Sequence, residues 1–306
     1  MTRIATLAGH NLTQSQIATT QKRMEELQIQ LSTGQKSIRY AGIADQTDRL
    51  INLENTRMRN EQYLKSNNTL SLRAQTMELS VAKSFDIATQ LKTLLVNAVN
   101  GNNAADLPLS LTANNMMDEL ARVLNVKLGD RYLFSGNATS TQPVDFTDPA
   151  FASPPGSYPS NADTSYYQGD GTRLSARVAD DFDVSWGTTA DEEGFEQLVR
   201  ALHLTATATT SPPDTLRLEE ALSVLNQAID NIPEIRSRIA AAQTSIDEAN
   251  SSHSDINLYL DQTITDIKAV DIPMTVTRLS SDQTILEASF MTVARLSQLT
   301  LATYLR

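Results

Sequence analysis

Every seventh residue from Leu218 reads Leu218, Leu225, Ile232, Ile239, Ile246, His253, Leu260 and Ile267. Only His253 interrupts the large aliphatics. Three residues after each of the first seven stand Ala221, Ala228, Ile235, Ala242, Ala249, Ile256 and Thr263, so one narrow stripe of aliphatic and small side chains runs down a long helix. A stripe so narrow and sustained fits a partner helix better than a globular core. At 1.5 Å per residue the segment would extend roughly 75 Å if helical throughout, which predicts a rod. Pro233 removes a backbone donor and clashes with the preceding turn, a cost of about 3 kcal/mol, and predicts a kink or short break near Asn231. His253 reads as a packing or registry residue, because His10 and His203 are far away in sequence.

The remaining helices follow from the same periodicity. Ile17, Met24 and Leu31 fall seven apart with Leu27 between them, and Ile4 and Leu7 precede them; Gly34 supplies a C-terminal cap. After a connector, a second long helix starts near Asp45 and carries Leu50, Leu53, Leu64, Leu70, Leu72, Leu79, Phe85, Leu91, Leu94 and Val99 before stopping at Asn100-Gly101. A third opens at Asp106-Leu107-Pro108, with Leu111, Met116, Leu120, Val123, Leu124 and Leu128 on its apolar face, and ends at Gly129. A shorter helix begins at Asp191-Glu192-Glu193-Gly194, its acids favoured by the helix dipole. The last helix follows Pro273 and carries Val276, Leu279, Leu286, Phe290, Val293, Leu296, Leu301 and Leu305.

The middle differs. Residues 137–190 hold half of the prolines and the single tryptophan. Stretches 164–168, 173–178 and 182–186 have strand character, with Gly169-Asp170-Gly171 as a hairpin link between the first two. The fold class expected is mainly α: a long antiparallel helical coiled-coil rod with a small β-containing inserted domain. Its parts would be residues 1–136 as the N-terminal half of the rod, 137–190 as a small β-rich inserted domain, and 191–306 as the C-terminal half.

Composition narrows the function. The formal net charge is −11, and the 25 basic residues form no run, which argues against a nucleic-acid partner. No window is apolar enough for membrane insertion, and the N-terminus lacks the pattern of a cleaved signal. Without cysteine, disulfides and thiolate metal sites are impossible. Ser135 has no elbow motif, no metalloprotease or phosphate-loop pattern occurs, and Asp180-Asp181 reads as solvated surface. We therefore expect no enzyme, no catalytic or metal site and no cofactor.

Particular residues add a resemblance. Leu31-Ser32-Thr33-Gly34-Gln35-Lys36, Asn67-Asn68, Asn97-Ala98-Val99-Asn100-Gly101 and the last helix from Leu286 resemble the flagellin superfamily. Gly129-Asp130-Arg131-Tyr132-Leu133-Phe134-Ser135-Gly136 and Tyr167-Gln168-Gly169-Asp170 are similar to its hook–filament junction branch, the hook-associated protein 3 family. Gly42-Ile43-Ala44-Asp45 stands where relatives carry two acids and a proline. Gln90 and Thr93 stand where some flagellins carry a charged receptor epitope.

The resemblance implies a structural subunit exported through the flagellar apparatus with an export chaperone. It would polymerise outside the cell with itself, hook-associated protein 1 and flagellin. A main-filament flagellin is the alternative, and an intracellular coiled-coil scaffold a more distant one. The implied assembly interface is the terminal stripes: Ile4, Leu7, Ile17, Met24, Leu27 and Leu31 with Leu279, Leu286, Phe290, Val293, Leu296, Leu301 and Leu305. Poor in aromatic bulk, these stripes should be marginal in a lone chain and become buried between neighbouring subunits.

Overall fold

A computed structural model describes residues 2–100, 107–151, 156–210 and 212–304, with backbone alone for 2–10, 44, 100 and 296–304. In chain order the elements are α1 (Thr2–Thr33), a 3₁₀ turn (Tyr40–Gln46), α2 (Thr47–Asn100), α3 (Leu109–Leu124), β1 (Lys127–Leu128), β2 (Arg131–Tyr132), β3 (Ser175–Ala179), β4 (Phe182–Ser185), α4 (Glu193–Thr207), α5 (Thr215–Lys268) and α6 (Ile272–Tyr304). Among the described residues β1 pairs only with β2 and β3 only with β4, both antiparallel. The fold is mainly α with a small β part. Two compact units divide it: Met1–Arg59 with Ile256–Arg306, and Asn60–Asp255. α2 and α5 each contribute to both.

The second unit holds the main core. Every seam position of α5 from Leu218 to Ile246 is buried, and so are the companion positions Ala221, Ala228, Ile235, Ala242 and Ala249. They pack in one cluster with Leu70, Ala74, Met77, Val81, Leu91 and Leu95 of α2. Tyr63 stacks on His253 at 5.1 Å between ring centres, and Arg236 pairs with Glu78 at 2.6 Å, so α2 and α5 run antiparallel here. The heptad reading is thereby met by a partner helix.

Pro233 does not interrupt α5, which is helical from Thr215 to Lys268. Its neighbourhood explains why. Ile232 and Ile235 are buried on either side of it, and the Asn231 side chain donates to Gln197 of α4 at 2.9 Å. Gly194 at the start of α4 comes so close that a Cβ there would stand 3.0 Å from the Ile232 nitrogen. Packing against α4 thus offsets the missing hydrogen bond.

α3 also ends earlier than expected, at Leu124. Asn125 leaves the helix and uses its side chain as a strand would, accepting from the Val144 nitrogen and donating to the Val144 carbonyl, both at 2.9 Å. Leu128 consequently lies in β1, and Gly129 makes the turn to β2 with φ +63. On α3 the buried stripe is Leu109, Ala113, Met117, Leu120 and Leu124, leaving Leu111 exposed.

Residues 137–190 do not close on themselves. Val144, Phe151, Tyr166, Val178, Val184 and Trp186 are buried in the same cluster as Phe195, Leu198 and Leu202 of α4. Two-stranded ribbons cannot bury a core alone, so this segment and α4 supply one another's apolar surface. The segment thus shares its apolar cluster with α4 and lies over that helix. Residues 164–168 form no strand but one bridge, Val144 to Tyr167, and the hairpin turn lies at Asp180-Asp181, with Asp181 at φ 59.

The stretches Gly129–Gly136 and Tyr167–Arg173 meet in space. A Cβ on Gly136 would lie 2.2 Å from the Asp170 carbonyl oxygen, and one on Gly169 would lie 2.7 Å from that of Ser135. Asp170 accepts from the Asn137 and Thr172 nitrogens at 3.0 Å, which holds its carboxyl below the ordinary range. The glycines are there for backbone approach.

Two outcomes test this packing. Ile239→Ala with Ile246→Ala should lower the thermal midpoint sharply, each truncation costing about 2–5 kcal/mol, while the exposed pair Ser237→Ala with Thr244→Ala melts like the parent. Deleting residues 137–190 should abolish cooperative melting, because α4 loses its cover; circular dichroism reads both.

Candidate assembly interface

The first unit is built around a clasp. Gly34 takes φ +69 after α1, with its nitrogen donating to the Gln30 carbonyl at 2.8 Å. The next residues then pair with the turn between α5 and α6: Lys36 nitrogen donates to Lys268 carbonyl at 2.7 Å, and Val270 nitrogen to Gly34 carbonyl at 3.0 Å. The Lys36 ammonium donates to the Ile267 carbonyl at 2.9 Å, where the helix dipole of α5 favours a cation. The connector motif is thus a joint between the two ends of the chain.

Beneath the clasp, Leu50, Ile264 and Ile267 make a small buried cluster with Ile43 and Leu53 packed against it. Glu54 binds Lys268 and accepts from the Tyr40 hydroxyl at 2.9 Å; the ammonium beside it holds its carboxyl below the usual range. Arg57 reaches Asp261 at 3.0 Å. Among the described residues the buried aliphatic side chains of this unit are Leu27, Leu50, Leu260, Ile264 and Ile267, a thin core for a unit that includes two helices of more than thirty residues.

Those two helices, α1 and α6, pack against each other. Arg23 of α1 forms a forked pair with Asp282 of α6, Nε to Oδ2 at 2.6 Å and Nη2 to Oδ1 at 2.5 Å. The guanidinium holds the Asp282 carboxyl below its ordinary value. Of the expected interface residues, Leu27 is buried; Ile17, Met24, Leu31, Leu279, Leu286 and Val293 are half-buried; Phe290 is 48 % exposed. The side chains of Ile4, Leu7, Leu296 and Leu301 lie outside the described residues, as does all of Leu305.

More apolar surface is open here than the terminal stripes suggest. Among the described residues, the exposed large apolar side chains of the second unit are Leu72, Leu79, Leu111, Phe182 and Leu216; the other fifteen belong to the first unit, which is little more than a third of the chain. Leu258 and Tyr259 near the end of α5 are 74 % and 68 % exposed, and Ile51, Met58 and Ile256 are also open. Reading only the terminal stripes misses them. The signal for them was present: Leu258 and Tyr259 are apolar but off the seam, which one partner helix cannot explain.

Residues 222–305 match the family model of the bacterial flagellin C-terminal helical region. No curated protein matches the chain. Among solved structures, one described as a flagellar hook-associated protein from Vibrio parahaemolyticus is similar with TM-score 0.58 and 16 % identity, over 72 % of this chain and 96 % of that one. FlgL of Bacillus cereus is similar with TM-score 0.56 and 13 % identity, over 71 % of this chain and 99 % of its own. FlgL of Xanthomonas campestris follows with TM-score 0.52 and 14 % identity, over 68 % and 98 %.

The Asp282 pair gives a pH dependence. Its folded-state carboxyl titrates below the unfolded value of about 3.9, so the pair stabilises α1 against α6 above that value and is lost as pH falls through the lower, folded-state one. In acid titrations followed by circular dichroism, Asp282→Asn should remove part of the helix loss seen in that window and leave the signal at neutral pH slightly reduced. Residues 222–305 are thus similar to the bacterial flagellin C-terminal helical region, and the fold is similar to those of solved structures described as flagellar hook-associated protein and FlgL.

Proposed function

We propose that this chain is a structural subunit of the bacterial flagellum, placed at the hook–filament junction and assembling outside the cell through its first unit. The observation that carries the proposal is the unequal distribution of apolar surface: the second unit encloses its own core, while the first leaves α1, α6 and the adjoining ends of α2 and α5 open. A unit with a core of this size gains most of its burial from neighbours. Copies of the chain provide those neighbours, together with the axial proteins on either side, hook-associated protein 1 and flagellin. Ile17, Met24, Leu27, Leu31, Leu279, Leu286, Phe290 and Val293 would then be contact residues, joined by Leu258, Tyr259, Ile51 and Met58. An export chaperone covering part of this surface before assembly follows from the same exposure, and the role requires no catalytic step. The likeness of the fold to flagellar hook-associated structures supports the junction; the match to a flagellin C-terminal region supports a second reading, a main-filament subunit.

Labelling isolated hook–filament preparations with antibody and gold separates the two, since the junction reading requires a short band at the hook end and the filament reading requires label along the whole length. Absence from both overturns the proposal. Leu258→Ser with Tyr259→Ser should leave the thermal midpoint nearly unchanged yet shift sedimentation toward monomer; association equal to that of the parent would remove these residues from the interface.

A further inference from the structure

The free edge of the β3–β4 hairpin borders a groove in the second unit. A cavity of about 460 Å³ lies between β4 and α5, lined by every residue of β4 and by none of β3. Clefts of about 300–1,000 Å³ hold ligands. The ladder fixes what β4 offers there. The Trp186 nitrogen donates to the Leu174 carbonyl at 3.0 Å, so the bonded pairs alternate from that point through Ala176 and Val184 and leave the N–H and C=O groups of Asp183 and Ser185 on the outer edge. Across the groove, Ile235 and Ile239 of α5 are buried, and Ala241, Ala242 and Ser245 are small enough to leave room beside the strand. From Ile235 to Ser245 this floor runs about 15 Å, the length of roughly four or five extended residues. Charge marks one end. Arg173 donates from Nε to Glu192 Oε1 at 3.1 Å, Arg238 binds the other oxygen of the same carboxylate, and the Thr188 hydroxyl donates to Oε1 at 2.6 Å. The Glu192 side chain is 10 % exposed, those of Arg173 and Arg238 51 % and 44 %. Two guanidiniums thus share one carboxylate, which leaves a positive charge and spare N–H donors on the lining. Asp183, the acid on that lining, is taken by Arg177 at 3.0 Å.

We propose that this groove takes an extended acidic peptide segment of a partner protein, added as a strand to β4 with a carboxylate on Arg173 and Arg238. The peptide backbone pairs with the outward N–H and C=O groups of Asp183 and Ser185, as in other strand additions, where main-chain bonds give affinity and the side-chain contacts give selectivity. Every second side chain of the peptide rests on the floor made by Ala241, Ala242 and Ser245. At the arginine end an Asp or Glu side chain completes the charge balance that Glu192 alone leaves unfilled, and bonds between guanidinium and carboxylate are among the stronger ones available. That surplus charge selects an acidic segment over a neutral or basic one. The groove belongs wholly to the second unit, so the inference is independent of the assembly surface described above.

Trp186, the single tryptophan of the chain, lines the groove and reports entry by its fluorescence. The full-length protein is titrated with an acetylated, amidated hexapeptide of valine and threonine that carries an aspartate at each end, so that either strand direction brings an acid to the arginines. Emission should change saturably, and hydrogen exchange at the Asp183 and Ser185 amides should slow. Replacing both aspartates by asparagine, methylating the backbone nitrogens of the peptide, or Arg238→Gln, which leaves Arg173 to hold Glu192, should each weaken binding about ten-fold or more. Ala241→Phe, which fills the groove from an exposed position, should abolish binding at an unchanged thermal midpoint. Equal binding of the asparagine peptide overturns the charge recognition, and equal binding of the methylated peptide overturns strand addition. Displacement of the hexapeptide by an equal concentration of succinate would mean a site for free carboxylates and overturn the peptide. An emission change on raising the protein concentration alone, absent in Ala241→Phe, would seat a second copy there and overturn the partner. No saturable change with the aspartate peptide overturns the proposal as a whole.

Discussion

The seam of α5 is the contact on which the rest of the fold depends. From Leu218 to Ala249 both positions of the stripe are buried, against α2, α4 and the segment that covers α4. Beyond His253 only one of them stays covered: Leu260 and Ile267 are buried, whereas Ile256 is exposed and Thr263 half-buried. One continuous helix therefore passes from a complete core into half of one. Burial contributes roughly 25 cal/mol per Å² of apolar surface, so the difference between the two stretches is a difference in what holds them when the chain is alone.

Polar groups set the register inside that core. The Val178 carbonyl accepts from the Asn67 amide and bonds the His253 Nε2, both at 2.9 Å, so one backbone oxygen of the hairpin ties α2 to α5. His253, the exception in the heptad, is there to meet it. Deeper, Glu196 and Arg200 of α4 form a buried pair at 3.0 Å. Burial raises the Glu196 carboxyl, while the Asp163 nitrogen donates to it at 2.9 Å; Arg200 donates to the Ser160 carbonyl at 2.6 Å, and Ser160 donates to Glu220 at 2.7 Å. A buried ion pair adds little net stability. This one fixes where the loop at 160–163 sits on α4 and α5, which apolar contacts would leave free to slide.

Much of this architecture is legible in periodicity because long helices repeat one rule many times. The heptad positions of α5, the cap at Gly34 and the long helix from Thr47 all follow from it. Errors gather where one local rule competes with a distant contact. Pro233 is a helix breaker until α4 lies against it, and Asn125 ends α3 because Val144, far along the chain, is there to bond. The strand character of residues 164–168 was real in composition, yet Tyr166 spends it on a buried contact, its hydroxyl donating to the Ala190 carbonyl at 2.9 Å. Leu72 and Leu79 resembled core because an apolar residue at helical spacing does not say which face meets the protein. The terminal stripes could be read from register, whereas the exposure of Leu258 and Tyr259 required knowing that the seam beside them was already occupied.

Charge and apolar exposure pull in opposite directions in this chain, and their ranges decide which prevails. A net charge of −11 repels other copies over about a Debye length, near 8 Å in physiological salt. Burial acts only on contact, once water has been expelled. At low concentration the longer-ranged repulsion is met first and keeps exposed residues such as Leu258 and Phe290 apart. When copies are held side by side, the charge cost is spread over the whole surface while the apolar gain is concentrated in a few helix faces.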